Sequence, residues 1–187
     1  MRWIPFLILV YVVALIESSV GWALFIDTAS VGAIGPDLAA MVVVFVAMYA
    51  RSAPDAMLGA WVLGLSVDLT SGAGVGSVTA VGPMSIAYCL LAGQLWRLRD
   101  AFFRERALTQ VVLTFFFVAA AHWIWVTAQA IFASGSVSFG DYGRTLVQAM
   151  GIAFYTALLM PLAHWGLYRL QRVILIAPAS AGRRGRR

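Results

Sequence analysis

Three ionisable side chains lie inside apolar stretches of this sequence and are the first candidates for chemistry. Glu17 lies well within the first stretch, and Asp68 lies near the end of the third. His122, next to Trp123, lies in the fifth. An ionisable group within a membrane costs at least about 2.5 kcal/mol on insertion scales, so each should face protein or water rather than lipid. We therefore predict that Glu17 and His122 make polar contacts inside the membrane domain.

The neighbours of Asp68 indicate which way its side chain points. Small or polar residues recur at every fourth position, at Ala60, Gly64, Asp68, Gly72 and Gly76. On a helix this spacing produces one face of small residues, along which the backbone of a second helix can approach closely. We predict that Asp68 lies in a helix junction. There it accepts hydrogen bonds from backbone N–H groups of a Gly-rich turn, contacts a ligand or ion, or contacts a partner.

The residue types that the chain lacks restrict its chemistry further. All 13 Lys or Arg positions are Arg, so the chain has neither a P-loop lysine nor a lysine for a Schiff base. Cys89 is the only cysteine, and neither His122 nor His164 has a carboxylate three or four residues away. No serine combines with a histidine and an acid in a hydrolase pattern. The sequence therefore predicts no enzyme, no metal site and no cofactor.

These residues are carried by a chain with the composition of a membrane protein. Of its 187 residues 62% are hydrophobic and 11% are charged, and its mean hydropathy is +0.89. Soluble domains are about a quarter charged. Hydropathy divides the chain into six apolar stretches, which cover residues 3–26, 34–50, 56–69, 75–96, 108–132 and 146–167. Because a membrane core takes about 20 helical residues, we predict an all-α bundle of about six transmembrane helices.

Length sets two of these stretches apart. The third, residues 56–69, reaches only about 21 Å as a helix, so its ends should stop below the headgroups or be shielded by protein. The first could instead be a signal peptide with Arg2 as its basic start. It continues to Ile26 without an A-x-A-like cleavage site, and we interpret it as a retained helix.

The distribution of arginine predicts the orientation. With the N-terminus inside, twelve of the 13 arginines fall on the cytoplasmic side and only Arg144 falls outside. The positive-inside rule then places both termini in the cytoplasm. We predict one integral-membrane domain, residues 1–176, followed by a disordered basic cytoplasmic tail, residues 177–187. The net charge of +5 and the pI near 10.0 therefore indicate topology and contact with the lipid bilayer, and no nucleic-acid partner.

Polar residues also mark the predicted helix boundaries. The second and third stretches open with Pro36-Asp37 and Pro54-Asp55. Each pair should place proline in the first turn and a carboxylate against the positive end of the helix dipole. The loop RLRDAFFRERA between the fourth and fifth stretches predicts a short interfacial helix. Its arginines are candidates for contact with the membrane surface or a cytoplasmic partner: Arg97, Arg99, Arg104 and Arg106.

The middle of the chain combines several of these signals in one motif. A Pro-Asp-Leu opens an apolar helix, and the Gly-rich helix after it ends in Asp-Leu-x-Ser-Gly, with a further Gly four residues on. The positions are Pro36, Asp37, Leu38, Gly59, Gly64, Asp68, Leu69, Ser71, Gly72 and Gly76. In this motif residues 35–93, about a third of the chain, resemble the MreD family of bacterial rod shape-determining membrane proteins. The chain departs from the family at Gly74, near where many members have proline.

The resemblance implies a non-enzymatic scaffold of the cell-elongation complex in the bacterial cytoplasmic membrane. Its main partner would be MreC. Through MreC it would be connected to MreB filaments, to the cell-wall synthase RodA and to the transpeptidase that works with RodA. The resemblance also implies a fold like that of the substrate-binding S components of energy-coupling-factor transporters.

That fold supplies the alternative function. An S component would bind a vitamin-like solute in a pocket open to the outside, near the predicted position of Asp68. Two expectations argue against it. The AxxxA pair that S components carry on the first helix is missing, with Ala14 and Ser18 as its nearest approach. Few polar groups are expected to converge on the outer side to hold a solute.

Overall fold

The computed structural model of the chain describes residues 3–19, 21–28, 32–71, 81–99, 107–132 and 139–174. Most of these residues are helical, which confirms the prediction of an all-α protein. The described part contains six α-helices: α1 Trp3–Ser19, α2 Leu38–Tyr49, α3 Ala53–Ser71, α4 Pro83–Leu98, α5 Ala107–Phe132 and α6 Phe139–Ile174. Between α1 and α2 lie a short 3-10 helix, Gly21–Leu24, and two strands, β1 Ile26–Thr28 and β2 Gly32–Ile34.

Two of the helices are long and apolar enough to cross a membrane. Their candidate spans are Ala107–Ile131, with 25 residues, and Tyr142–Leu170, with 29 residues. The helices α1 and α2 are apolar but shorter. Helix α5 agrees with the predicted stretch to within one residue, whereas α6 has 36 residues and extends beyond its stretch at both ends. Hydropathy marks only the apolar part of a helix, and the polar turns at both ends of α6 remain helical.

The first apolar stretch is not one continuous helix. Helix α1 ends at Ser19, and the apolar residues that follow it form the 3-10 turn and the hairpin. The strands pair antiparallel with Ile26 opposite Ile34, and Gly32 takes a positive φ of 100° that suits glycine at the turn. The prediction of a helix up to Ile26 was wrong because hydropathy does not distinguish a short apolar strand from a helix.

The shortest helix is the second, not the third. Helix α3 has 19 residues because the Pro54-Asp55 turn and Thr70 are also helical. The Thr70 hydroxyl donates to the carbonyl of Ser66, 3.0 Å away, so the polar last turn keeps its side chain satisfied. Helix α2 has only 12 residues, about 18 Å, and its residues Ala39–Met48 are all buried. A helix that is apolar on every side belongs in a core, and α2 contacts all five other helices.

Helix α4 begins later than the sequence indicated. The predicted stretch started at Val75, but the helix starts at Pro83, and residues 72–80 lie outside the described part of the chain. Proline at the first helical position has no N–H to leave unpaired, and Gly82 before it adopts a φ of 116°. The predicted interfacial helix lies in the loop 97–107, of which residues 100–106 are outside the described part, and the predicted tail is residues 177–187, which also lie outside it.

Helices α3 and α4 lie close together at Gly64. A Cβ atom built on Gly64 would lie 2.6 Å from the Cα of Ser85 and 2.8 Å from the carbonyl oxygen of Met84. Ala60, one turn earlier, is fully buried. The small-residue face therefore packs against α4, as the four-residue spacing predicted.

Candidate functional site

Two carboxylates occupy the N-terminus of the central helix α2. Asp37 is its N-cap and accepts a hydrogen bond from the backbone N–H of Ala40 at 2.7 Å. The carboxyl group of Glu17, from the last turn of α1, lies beside the backbone N–H groups of Leu38 and Ala39. Both carboxyl groups therefore lie at the positive end of the helix dipole. We predicted Pro36 in the first turn of α2, but it precedes the N-cap residue.

Asp37 is also bound from two other helices. The Tyr88 hydroxyl of α4 donates to its Oδ2 at 2.5 Å, and its backbone N–H donates to Thr156 Oγ1 of α6 at 2.9 Å. Both Tyr88 and Thr156 are fully buried. These hydrogen bonds connect α2, α4 and α6 at one point. Because unpaired polar groups are costly in an apolar interior, the bonds favour this arrangement of the three helices.

His122 of α5 reaches the same cluster. Its Nδ1 lies 3.1 Å from the carbonyl oxygen of Val118, which can only accept, so Nδ1 carries a proton. Its Nε2 lies 3.9 Å from Asp37 Oδ2, beyond hydrogen-bond distance. Glu17 and His122, which the sequence placed on different helices, therefore meet around Asp37.

Asp68 lies in the second junction, between α3 and α4. Its Oδ1 accepts from the backbone N–H of Met84 at 3.3 Å. Its Oδ2 accepts from the N–H of Ser85 at 2.9 Å and from the Ser85 hydroxyl at 2.7 Å. Asp68 is thus a cap for the N-terminus of α4 supplied by the helix before it. Of the three roles predicted for it, these contacts are nearest to hydrogen bonding with backbone N–H groups, but the donors lie in the first turn of α4 rather than in the Gly-rich turn.

A cavity of about 540 Å³ opens beside the Glu17–Asp37–His122 cluster. It lies where α1, α3 and α5 end and α2, α4 and α6 begin, and we name this the hairpin end of the bundle. The lining residues come from the five helices other than α2 and from the segments next to the hairpin and the start of α2. Those used below are Glu17, Ser18, Phe25, Asp37, Thr70, Met84, His122, Trp125, Gln148 and Ile152.

This cavity corrects one expectation from the sequence. Few polar groups were expected to converge on the outer side, which is the hairpin end in the predicted orientation, but Glu17, Asp37, His122 and Gln148 all line the same cavity. The residues are distant in sequence, and only the packing of α1, α2, α5 and α6 brings them together. Within the described part of the chain, no three His, Cys, Asp or Glu side chains lie close enough to hold a metal ion.

Side chains also contact the C-terminal end of α2. The Ala50 carbonyl at the C-cap accepts from Trp96 Nε1 at 3.3 Å and from the guanidinium of Arg99, which also lies 4.5 Å from the Trp96 ring. The Tyr49 hydroxyl lies 3.0 Å from His164 Nε2. Arg99, predicted at the surface, therefore contacts the end of α2, where its charge complements the helix dipole.

The other predicted site residues fall into three groups. Gly59 is buried, Leu69 is 63% exposed and Arg97 is exposed. Leu38 opens α2, and Ser71 is the last residue of α3. The rest of the predicted set lies outside the described residues: Gly72, Gly76, Arg104 and Arg106.

Sequence reasoning missed four residues of these clusters. Tyr88 and Thr156 hold Asp37, Ser85 holds Asp68, and Gln148 donates to the hairpin carbonyl of Ala33 at 2.7 Å. The signal for Thr156 and Gln148 was available, since isolated polar side chains in apolar helices commonly bond across helices. Tyr88 carries no such signal because its ring suits an apolar stretch.

Comparison of the chain with protein families, with characterised proteins and with solved structures found no match.

Proposed function

We propose that this protein is a non-enzymatic membrane scaffold of the bacterial cell-elongation complex, with MreC as its main partner. It crosses the cytoplasmic membrane with six helices and both termini inside. Through MreC it helps couple MreB filaments to RodA and the transpeptidase that works with it. The proposal rests on the resemblance of residues 35–93 to the MreD family.

One observation carries this proposal beyond resemblance. The two carboxylates of the motif, Asp37 and Asp68, are buried, and each caps a helix N-terminus. Gly64 of the same motif lies where α3 meets the backbone of α4. These motif residues therefore hold helices together, which suits a protein that presents a rigid surface to partners.

Copurification from native membranes tests the proposal. A tagged full-length protein should recover MreC and the cell-wall synthases. Cells that lack the protein should become rounded or widened while their uptake of small solutes stays normal. Recovery of an ATPase pair with a coupling subunit, in place of MreC, would reject the scaffold.

The second candidate is a substrate-binding S component, and the cavity at the hairpin end favours it. A volume of about 540 Å³ is within the usual range for small-molecule sites, and four polar side chains from distant parts of the chain converge on it. With the N-terminus inside, this cavity faces the outside of the cell. Loss of uptake of one solute in cells without the protein, with cell shape unchanged, would favour this candidate over the scaffold.

A further inference from the structure

Four polar side chains of the cavity donate hydrogen bonds to the protein's own backbone. The Ser18 and Thr70 hydroxyls, the Gln148 amide and the His122 Nδ1–H all donate to backbone carbonyls. These carbonyls belong to Leu15, Ser66, Ala33 and Val118, respectively. What these residues present to the cavity is therefore mainly acceptor atoms.

Three of the lining residues carry acceptor atoms. These are the carboxylate of Glu17, Oδ2 of Asp37 and Nε2 of His122. Since Nδ1 donates to the Val118 carbonyl, the Nε2 of His122 can act as an acceptor, and it lies 3.9 Å from Oδ2 of Asp37. Two acceptors at this separation do not bond to each other, but a single donor group between them can serve both.

The charge around the cavity has one dominant sign. By sequence position, the hairpin end carries five carboxylates: Glu17, Asp27, Asp37, Asp68 and Asp141. Its only arginine is Arg144, which is exposed and does not line the cavity. Residues 29–31, 72–80 and 133–138 contain no charged residue at all. By sequence position, Arg144 is the only permanent positive charge near these five carboxylates, so a cation is favoured in the cavity.

The remaining walls are apolar and aromatic. Phe25, Met84, Trp125 and Ile152 also line the cavity. The face of an indole ring attracts organic cations, and apolar walls favour a ligand with a hydrocarbon body.

We infer that this cavity binds a small organic ammonium ion, with its N–H donors between Glu17, Asp37 and His122 and its apolar body against Trp125. The inference names the class of solute for the second candidate function. It rests on that candidate only in that a solute must bind in the cavity. Transport is a separate question, which uptake and copurification of an ATPase answer. The ammonium class is decided by binding to the purified protein.

The test uses three probes of one shape and different charge. Full-length protein in a non-ionic maltoside detergent is titrated with phenethylammonium, phenethyl alcohol and phenylacetate, and the melting temperature is recorded. We expect a saturable rise with phenethylammonium and a much smaller one with the alcohol and the acid. Equal shifts with the alcohol would overturn the inference, because they would show an apolar cavity without selection for charge.

Two variants locate the binding site. Glu17→Gln keeps an oxygen for the N–H groups of Leu38 and Ala39 but removes the charge, so the protein should fold while phenethylammonium affinity falls about 10- to 100-fold. Trp125→Leu keeps an apolar wall and should also weaken binding. The matched control is Asp55→Asn, in the first turn of α3 at the far end of the bundle, which should leave affinity unchanged. Unchanged affinity in both Glu17→Gln and Trp125→Leu would place the ammonium elsewhere and refute the assignment.

A final comparison identifies the source of the ammonium group. Phosphatidylethanolamine also presents an ammonium, so it is added to the micelles before the titration. We expect no competition, which assigns the site to a free solute. Competition by this lipid that Glu17→Gln abolishes would overturn the free-solute assignment in favour of a lipid headgroup.

Discussion

Asp37 and Asp68 each accept hydrogen bonds from N–H groups at the N-terminus of a helix. The first N–H groups of a helix have no partner within the helix, and in an apolar interior water does not reach them. A carboxylate satisfies several of these donors and complements the helix dipole. Asp37 caps its own helix, whereas Asp68 caps α4 from α3 and so joins two helices.

The first prediction separates the charge of Asp68 from its hydrogen bonds. Asp68→Leu leaves the N–H groups of Met84 and Ser85 unpaired, at about 1–3 kcal/mol each. Asp68→Asn retains one acceptor oxygen and should lose clearly less stability. The measurement is the free energy of unfolding of the purified protein in detergent.

Asp27 supplies the control for this comparison. It lies exposed on β1, so Asp27→Asn and Asp27→Leu should each change the free energy of unfolding by about 0.5 kcal/mol or less. If Asp68→Asn proves as damaging as Asp68→Leu, the negative charge itself is essential, as it would be for a contact with a cation.

At the scale of elements, α2 is the part around which the others are arranged. It is too short to span a membrane core of about 30 Å, and its buried ends need partners that water would otherwise provide. Two carboxylates supply them at its N-terminus, and Trp96 and Arg99 supply them at its C-cap. Both ends therefore match the helix dipole in sign.

The second prediction concerns the contact between α3 and α4. Gly64→Ala inserts a Cβ 2.6 Å from the backbone of Ser85, which cannot move as a side chain can. We expect a loss of about 1–3 kcal/mol in the free energy of unfolding, and a larger loss for Gly64→Leu, with membrane insertion unchanged. The assay is the same denaturation experiment in detergent.

Gly143 of α6 offers a matched control. A Cβ built there meets no atom within 4 Å, so Gly143→Ala should be neutral or stabilising by up to about 1 kcal/mol. Equal stability of Gly64→Ala and Gly143→Ala would show that the two helices are not in close contact at Gly64.

At the scale of the whole molecule, the charges are divided between the two ends. Twelve of the 13 arginines lie, by sequence position, at the end opposite the hairpin, whereas five of the eight acidic residues lie at the hairpin end. Under the positive-inside rule, this division predicts that the hairpin end and its cavity lie outside the cytoplasm.

The third prediction tests this orientation. A reporter fused after Arg187 should be active as a cytoplasmic reporter, and one inserted near Ser136 should report the periplasm. Paired enzymatic reporters that are each active on one side of the membrane make the measurement. A cytoplasmic reading near Ser136, or a periplasmic one after Arg187, would contradict six crossings.

The boundaries of the helices were predictable only in part. Helix α5 was located to within one residue because a long apolar run between polar ends has one interpretation. The hairpin after α1 and the late start of α4 were missed, since short apolar strands and turns have the same hydropathy as helix. Pro36 was predicted inside the first turn of α2, but the helix begins after it, at Leu38. A Pro-Asp pair can stand before a helix as well as inside it.

The sequence by itself determined the features that depend on local spacing. Composition indicates a membrane protein, and a four-residue repeat of small side chains predicts the face of α3 that meets α4. The cost of an ionisable group in an apolar stretch predicts that Asp68 turns inward. Only the tertiary structure decided which groups meet around Asp37. Asp37 bonds to Thr156, 119 residues away, and to Tyr88, 51 residues away. Helices of similar hydropathy carry little signal for their neighbours, so the cluster and its cavity follow from packing alone.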